Sequence, residues 1–281
     1  MTPSATATAT ATAATVGVLS SRRPREPGAW HRAAIGAAMV AAALVLWFVA
    51  AAFGWVTGAR FPTPTDVATA AKQIVVAPGY SGGTLWVHVW HSSRLVLMGF
   101  AIAVATGIPV GLAMGTSRRA EALIGPVFSM LRPIPPLAWI PLAILWLGLG
   151  DSAKLFLIWV ASFAPAVINT YSGVRTVETV LVEAARVHGA RTPQLVWHVL
   201  VPGALPMIFT GVRLSLQTAW MTLVAAELVG AFVGLGKVLA SAALDINPGM
   251  ILFAMIWVGL LGAAMTKALE WVEKRALPWL R

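Results

Sequence analysis

Residues 95–114 read Leu-Val-Leu-Met-Gly-Phe-Ala-Ile-Ala-Val-Ala-Thr-Gly-Ile-Pro-Val-Gly-Leu-Ala-Met, from Leu95 to Met114, without one charged side chain. A helix needs about 20 predominantly apolar residues to cross the hydrocarbon layer of a membrane. This stretch has that length. Gly99, Ala103, Gly107, Gly111 and Gly115 recur every four residues and share one helical ridge. Small residues at that spacing let two backbones approach closely. The partner on that ridge is either another helix of the chain or a second copy meeting it at a dimer seam. Pro109 is expected to bend the helix.

Five further stretches suit a span: about 33–56, 122–149, 154–174, 204–230 and 249–268. The one over 122–149 is long and broken by prolines. The composition agrees with a lipid solvent. Hydrophobic residues make up 58% of the 281 and charged residues 11%, where a soluble domain carries about 25% charged. No cysteine is present, which excludes disulfides, thiol catalysis and cysteine metal sites.

Residues 1–32 differ from the rest. Ala5–Thr15 is almost entirely Ala and Thr, and Arg22, Arg23, Arg25 and Arg32 follow. Nothing there can pack, so a disordered basic tail is expected. The apolar run Ala33 to Val56 exceeds the roughly 7–15 residues of a signal-peptide core, so it reads as a first span.

The formal net charge is +10. Its distribution assigns it to topology and an anionic membrane surface rather than to nucleic acid. The odd-numbered connections hold few cations: Arg60, Lys72, Lys154 and Lys237, with Arg94 at a helix mouth. The even-numbered ones hold Arg118, Arg119, Arg175, Arg186 and Arg191. The tail adds its four arginines, and Lys267, Lys274, Arg275 and Arg281 close the chain. Positive charge stays in the cytoplasm. Both termini are therefore expected inside, which six spans satisfy. Trp55, Trp86, Trp90, Trp146 and Trp271 stand near span ends, as interfacial aromatics do.

The segment 57–93 is too polar to span. Asp66–Val75 reads as a short surface helix lying on the membrane. His88 and His91 have a metal-like spacing, but no acid or cysteine stands beside them, and no metal site is expected. No phosphate-cradling loop is present: Ala231 to Val238 lacks the first Gly and the hydroxyl of that pattern. No catalytic constellation is recognisable. Transport without chemistry is the expectation, with no catalytic residue.

The connection Thr176 to Gly203 is too long for a simple turn. It reads as two short helices meeting at Gly189, which suits a left-handed C-terminal residue. Thr192 is the expected N-cap of the second helix, with Pro193 at its first position, and Pro202 its stop. Glu183, Ala184, Ala185, Arg186 and Arg191 surround the corner. Such a pair suits docking into a partner's groove, or equally resting on lipid headgroups.

The run Glu183-Ala184-Ala185, three residues, Gly189, nine residues, then Val199-Leu200-Val201-Pro202 resembles the EAA loop of ATP-binding-cassette importer permeases, with Val standing for Ile and Leu. In that family the loop is the coupling helix that docks on the ATPase. The resemblance gives Glu183, Ala184, Ala185, Gly189 and Pro202 that role. Leu131-Arg132-Pro133-Ile134-Pro135-Pro136-Leu137-Ala138-Trp139-Ile140-Pro141, Leu145 to Gly150, Leu223 to Glu227 and Gly234-Leu235-Gly236 are similar to the taurine, aliphatic-sulfonate and nitrate permeases. The likeness covers roughly residues 60–281, with the core at about 84–272.

It implies an all-α membrane protein of the type I importer permease fold, in the bacterial inner membrane. It also implies a homodimer above two cytoplasmic ATPase subunits that bind the ATP, with a solute-binding protein outside. The solute it suggests is taurine or an aliphatic sulfonate, with nitrate, a pyrimidine precursor or an aromatic acid as alternatives. An ion-driven secondary transporter would instead show an internal repeat and a midplane acid, and neither stands out.

Ionisable groups inside spans are costly and usually face a partner or a pathway. Arg132, Arg213 and Glu227 qualify. Arg132 suits either an anion or the cap of a broken helix. Arg213 is expected to snorkel, and Glu227 to pair with Lys237 or Arg94. Pro135, Pro136, Trp139, Gln217 and Trp220 complete the candidate route, although helix packing suits Gln217, Thr218 and Trp220 as well.

Overall fold

The computed structural model describes residues 29–54, 61–76 and 79–278. Most of the expected tail, together with Trp55, Arg60 and Arg281, lies outside the described residues. The chain divides into two units, residues 1–49 and 50–281.

The first unit is described only through helix α1 (Ala29–Ala52). Its Ala34–Ala52 window has a mean hydropathy of 2.4. Met39, Leu46 and Phe48 are exposed along it. A helix apolar on every side calls for hydrocarbon around it, in agreement with a first span.

The second unit contains α2 (Pro64–Val76), α3 (Leu85–Thr116), α4 (Arg118–Leu131), α5 (Ile140–Leu147), α6 (Asp151–Arg175), α7 (Thr179–Val187), α8 (Thr192–Leu195), α9 (Val201–Gly230), α10 (Leu235–Leu244) and α11 (Pro248–Ala276). No named strand occurs among the described residues. Five helices are long and apolar enough to span, six when α4 and α5 count as one span bent by 84°. The bend falls at Pro133, Pro135 and Pro136, which lack the N–H groups a continuous helix needs. A single 3-10 turn, Pro136–Trp139, bridges the pieces.

The glycine ridge of α3 lies against α6 of the same chain, so it is an internal seam. A Cβ at Gly99 would fall 2.6 Å from Ile158 Cγ2, and at Gly107 2.8 Å from Ala166 Cβ. At Gly111 it would fall 2.7 Å from Thr170 Cβ, and at Gly115 2.7 Å from Val174 Cβ. The partners advance in step with the ridge, so the two helices run parallel in one constant register. On its other side α6 packs antiparallel to α9, where Gly173 meets Met207 and Gly211 meets Asn169. Ser162 and Ser215 stitch that contact by donating to each other's carbonyl oxygens at 2.9 and 2.7 Å. Helix α3 runs through Pro109 without a break.

Helix α2 is not simply laid on a membrane surface. Its apolar positions Ala70 and Ile74 are buried in a core with Leu85, Leu235, Val238, Ala242, Met250 and Ala254. Ala70 and Ile74, four positions apart, share one face of the helix, and that face is covered by α10 and α11. The start of α2 is tied by Thr63, whose N–H and hydroxyl donate to Asp66 Oδ2 at 2.8 and 2.7 Å. Those bonds hold the Asp66 carboxyl below its ordinary pKa. Close by, Tyr80 donates to Asp245; burial first, and then this carboxylate, push the phenol pKa up. Trp86, Trp90, Trp146 and Trp271 are exposed near helix ends, as expected of interfacial aromatics.

Candidate functional site

The connection after α6 forms a defined corner. Gly189 has φ +80°, the left-handed conformation that costs a side-chain-bearing residue most. Its N–H donates to the Arg186 carbonyl at 2.9 Å, and the Ala190 N–H to the Ala185 carbonyl at 3.0 Å. This paired closure is a Schellman motif, and it satisfies carbonyls that the end of α7 would otherwise leave open. The inner face of α7, Val182 and Ala185, packs on Val174, Leu195 and Leu200 at the end of the bundle. Its outer face presents Val180, Leu181, Glu183, Ala184 and Val187; Val187 is 85% exposed.

Two details beyond the corner differ from expectation. The helix begins at Thr192 itself, with Arg191 as cap, because Gln194 Oε1 folds back to accept the Arg191 N–H at 2.9 Å. Pro202 does not stop it either: residues 192–230 run on as one helical stretch. A π turn at Val196–Leu200, closed by Val201 N–H to the Val196 carbonyl, precedes the proline. That wider turn changes the bonding pattern just where Pro202 has no N–H to give.

The residues of the expected solute route do not converge. Arg132, Pro136 and Trp139 line one cavity of about 200 Å³, with the neighbouring Pro135 exposed. Gln217 is exposed on α9. Trp220 is buried among Leu95, Val96, Ile158, Leu216 and Leu223, a core position rather than a lining one. Glu227 is completely buried and pairs with neither Lys237 nor Arg94. It accepts from Ser92 Oγ at 2.8 Å and from the Gly236 N–H at 2.8 Å. The Gly236 N–H at the first turn of α10 and the Ser92 hydroxyl of α3 supply what a cation would have supplied. The Glu227 side chain occupies the space where Gly234, at φ +140°, and Gly236 would carry a Cβ: its carboxylate at Gly234 and its Cβ at Gly236. Sequence alone assigns no role to these glycines, because the clash is with a residue on another helix.

The network continues through His88. Its Nδ1 accepts the Gly234 N–H at 3.0 Å and its Nε2 donates to the Tyr80 carbonyl at 3.0 Å, so neither nitrogen is left for a metal. His91 instead meets Asp151, which also binds Lys154 at 3.1 Å. Arg213 pairs with Glu273, near the C-terminal end of α11, because the two helices bring both groups to one level.

Sequence reasoning missed two groups beside Arg132. Glu121 accepts from the Tyr171 hydroxyl at 2.5 Å and from Arg175 at 3.3 Å. Phe156, Trp159 and Phe163 form an aromatic stripe on α6 facing the proline break. Their spacings of three and four positions were the available signal.

Comparison with known proteins fits this geometry. Residues 107–281 match the family described as binding-protein-dependent transport system inner membrane component. The chain is 35% identical over 240 residues to the taurine transport system permease protein TauC of Escherichia coli strain K12, covering 85% of this chain and 87% of the relative. Identity to the putative aliphatic sulfonates transport permease protein SsuC of that organism is 37% over 236 residues, or 84% and 88% of the two chains. Among solved structures, the inward-facing MetNI methionine ABC transporter shares the fold with a TM-score of 0.61 at 21% identity, over 68% of this chain and 96% of that one. The family match takes in most of the α3 ridge, the bent span, the Gly189 corner and α11, and the chain accordingly belongs to the binding-protein-dependent transport system inner membrane components, as a multi-pass ABC transporter permease.

Proposed function

We propose that this permease imports a small organic anion, taurine or an aliphatic sulfonate, as a homodimer with both termini in the cytoplasm. Two cytoplasmic ATPase subunits dock at residues 176–203 and bind the ATP, and an external solute-binding protein delivers the solute. The observation that carries the ATPase assignment is the Gly189 corner. Its turn is closed by its own backbone, its inner face is anchored to the bundle, and its outer face leaves Val180, Leu181 and Val187 without cover. Unpartnered apolar side chains beside a rigid corner suit a groove on another protein better than a headgroup layer rich in charge. The names of the taurine and sulfonate relatives support the solute class, and Arg132 supplies a cation on the bent span.

The test is uptake into proteoliposomes holding the permease with its ATPase and binding protein. Labelled taurine and ethanesulfonate should enter only with ATP and should continue to enter with an uncoupler present. Deleting Glu183–Gly189 should abolish uptake while insertion remains. Uptake that survives ATP depletion but collapses with the uncoupler would replace this reading with an ion-driven carrier. Uptake of nitrate alone would replace the solute class.

A further inference from the structure

The cavity beside Arg132 has a wall of a particular kind. Five rings follow one another along it: Trp139 to Phe156 at 6.3 Å between centroids, Phe156 to Trp159 at 6.0 Å, Trp159 to Phe163 at 5.4 Å, and Phe163 to Phe128 at 6.3 Å. All five border the same space of about 200 Å³. Trp159 is fixed in place, since its Nε1 donates to Thr106 Oγ1 of α3 at 3.1 Å. An apolar cavity of about 150 Å³ holds a benzene ring, so this one has room for an aromatic body.

Arg132 is the one charged residue lining this space among the described residues, and with Phe128 it also borders a second cavity of about 310 Å³ that contains Glu121, Ser129 and Tyr171. Glu121 is already bound by Tyr171 and Arg175, and Arg132 has no ion partner among the described residues. An unpaired guanidinium beside a continuous aromatic wall suits a molecule with one anionic head and an apolar body. Depth distinguishes a solute from a lipid. Arg132 follows the 14 residues of α4, about 21 Å from its start at 1.5 Å per residue, and shares its cavity with Phe163, midway along the 25 residues of α6, so the charge itself lies deeper than a headgroup sits.

We propose that Arg132 and the five rings form a solute subsite that takes two-carbon sulfonates, taurine among them, and binds sulfonates with a bulky apolar or aromatic body more tightly. The proposal rests on the reading that the permease carries an organic anion, and it adds the feature of that anion which the membrane part itself recognises. Arg132 holds the sulfonate, and the ring wall sets the size and shape of the body.

The probe is benzenesulfonate, compared with ethanesulfonate by equilibrium dialysis against the full-length permease in lipid nanodiscs. The expected result is at least tenfold tighter binding of benzenesulfonate. Phe156→Ala should lower benzenesulfonate affinity about tenfold, while Trp159→Phe, which keeps a ring in a folded wall, should lower it less. Arg132→Gln should weaken both sulfonates. Equal affinity for the two sulfonates, or no binding of either, overturns the subsite. So does methyl phenyl sulfone, uncharged, binding as tightly as benzenesulfonate and surviving Arg132→Gln, which is the behaviour of a lipid-filled groove. ATP-driven uptake of ethanesulfonate in the reconstituted complex, with no preference at the permease, sinks this proposal alone. Absence of ATP-driven uptake of any organic anion sinks the reading beneath it.

Discussion

The amide of Ala190 donates to the carbonyl of Ala185 at 3.0 Å, bridging the Gly189 corner and locking the end of α7. A Cβ at Gly189 meets nothing within 4 Å, so in the isolated chain the only cost of a side chain there is the left-handed backbone, about 1–2 kcal/mol. Gly189→Asn, which tolerates that conformation, should therefore leave the melting temperature of the purified permease nearly unchanged. If the corner enters a partner's groove, the same variant should still lose ATP-driven uptake. Retained uptake would mean that the corner only shapes the chain.

The α3 ridge makes a sharper demand. Gly111→Ala would set a Cβ 2.7 Å from both Thr170 Cβ and the Val167 carbonyl. Overpacking of that kind costs about 1–3 kcal/mol. A thermal melt in detergent should show the loss. Gly259→Ala, a helical site with nothing within 4 Å, should show none.

Glu227 offers a test of what a buried carboxylate does. Glu227→Gln would present an NH2 group to Ser92 or to the Gly236 N–H, both donors in this network. A buried donor left without an acceptor costs about 1–3 kcal/mol. Hydrogen exchange should report faster opening at Leu235, Gly236 and their neighbours than in α6. Unchanged protection there would remove Glu227 as the anchor of α10.

Arg213 and Glu273 should behave as a coupled pair. Arg213→Ala, Glu273→Ala and the double variant form a cycle, and coupling of about 0.5–1 kcal/mol is expected for partly exposed groups in contact. Additive losses would show that the two groups are not coupled.

Asp66 gives a pH dependence. Its carboxyl is held below the ordinary value by the Thr63 hydrogen bonds, so its contribution is complete above about pH 4 and is lost as pH falls through the folded-state value. The first amides of α2 should exchange faster below about pH 4. Asp66→Asn should exchange fast at every pH and erase the dependence.

Much of this was legible in the chain because lipid leaves little choice. Runs such as Leu95–Met114 have one stable solution, a spanning helix, and the prolines at 133, 135 and 136 break one wherever they occur. The Gly189 corner was legible because the left-handed residue and its closing bonds lie within six positions of one another. What escaped was set by partners distant in sequence. Glu227 had two nearby cations to suggest, yet the donors it found are one backbone N–H, at Gly236, and the Ser92 hydroxyl, neither of which a charge pattern announces. Ala70 and Ile74 read as a surface face until α10 and α11 cover them. Pro202 read as a stop because a π turn has no sequence signature of its own. The ridge partner was undecided because Gly99 to Gly115 is equally smooth toward any helix, and only Ile158, Ala166, Thr170 and Val174 on α6 settle it.

That seam has a mechanical consequence. Helix α6 extends about 37 Å at 1.5 Å per residue and ends at Arg175, with three residues between it and the start of α7 at Thr179. Gripped by α3 along one flank and α9 along the other, it has little slack in which to absorb a push. A displacement at the corner would travel up α6 as along a piston rod. The proline break at residues 132–139, where the helical bond ladder is interrupted, would then give more readily than α6.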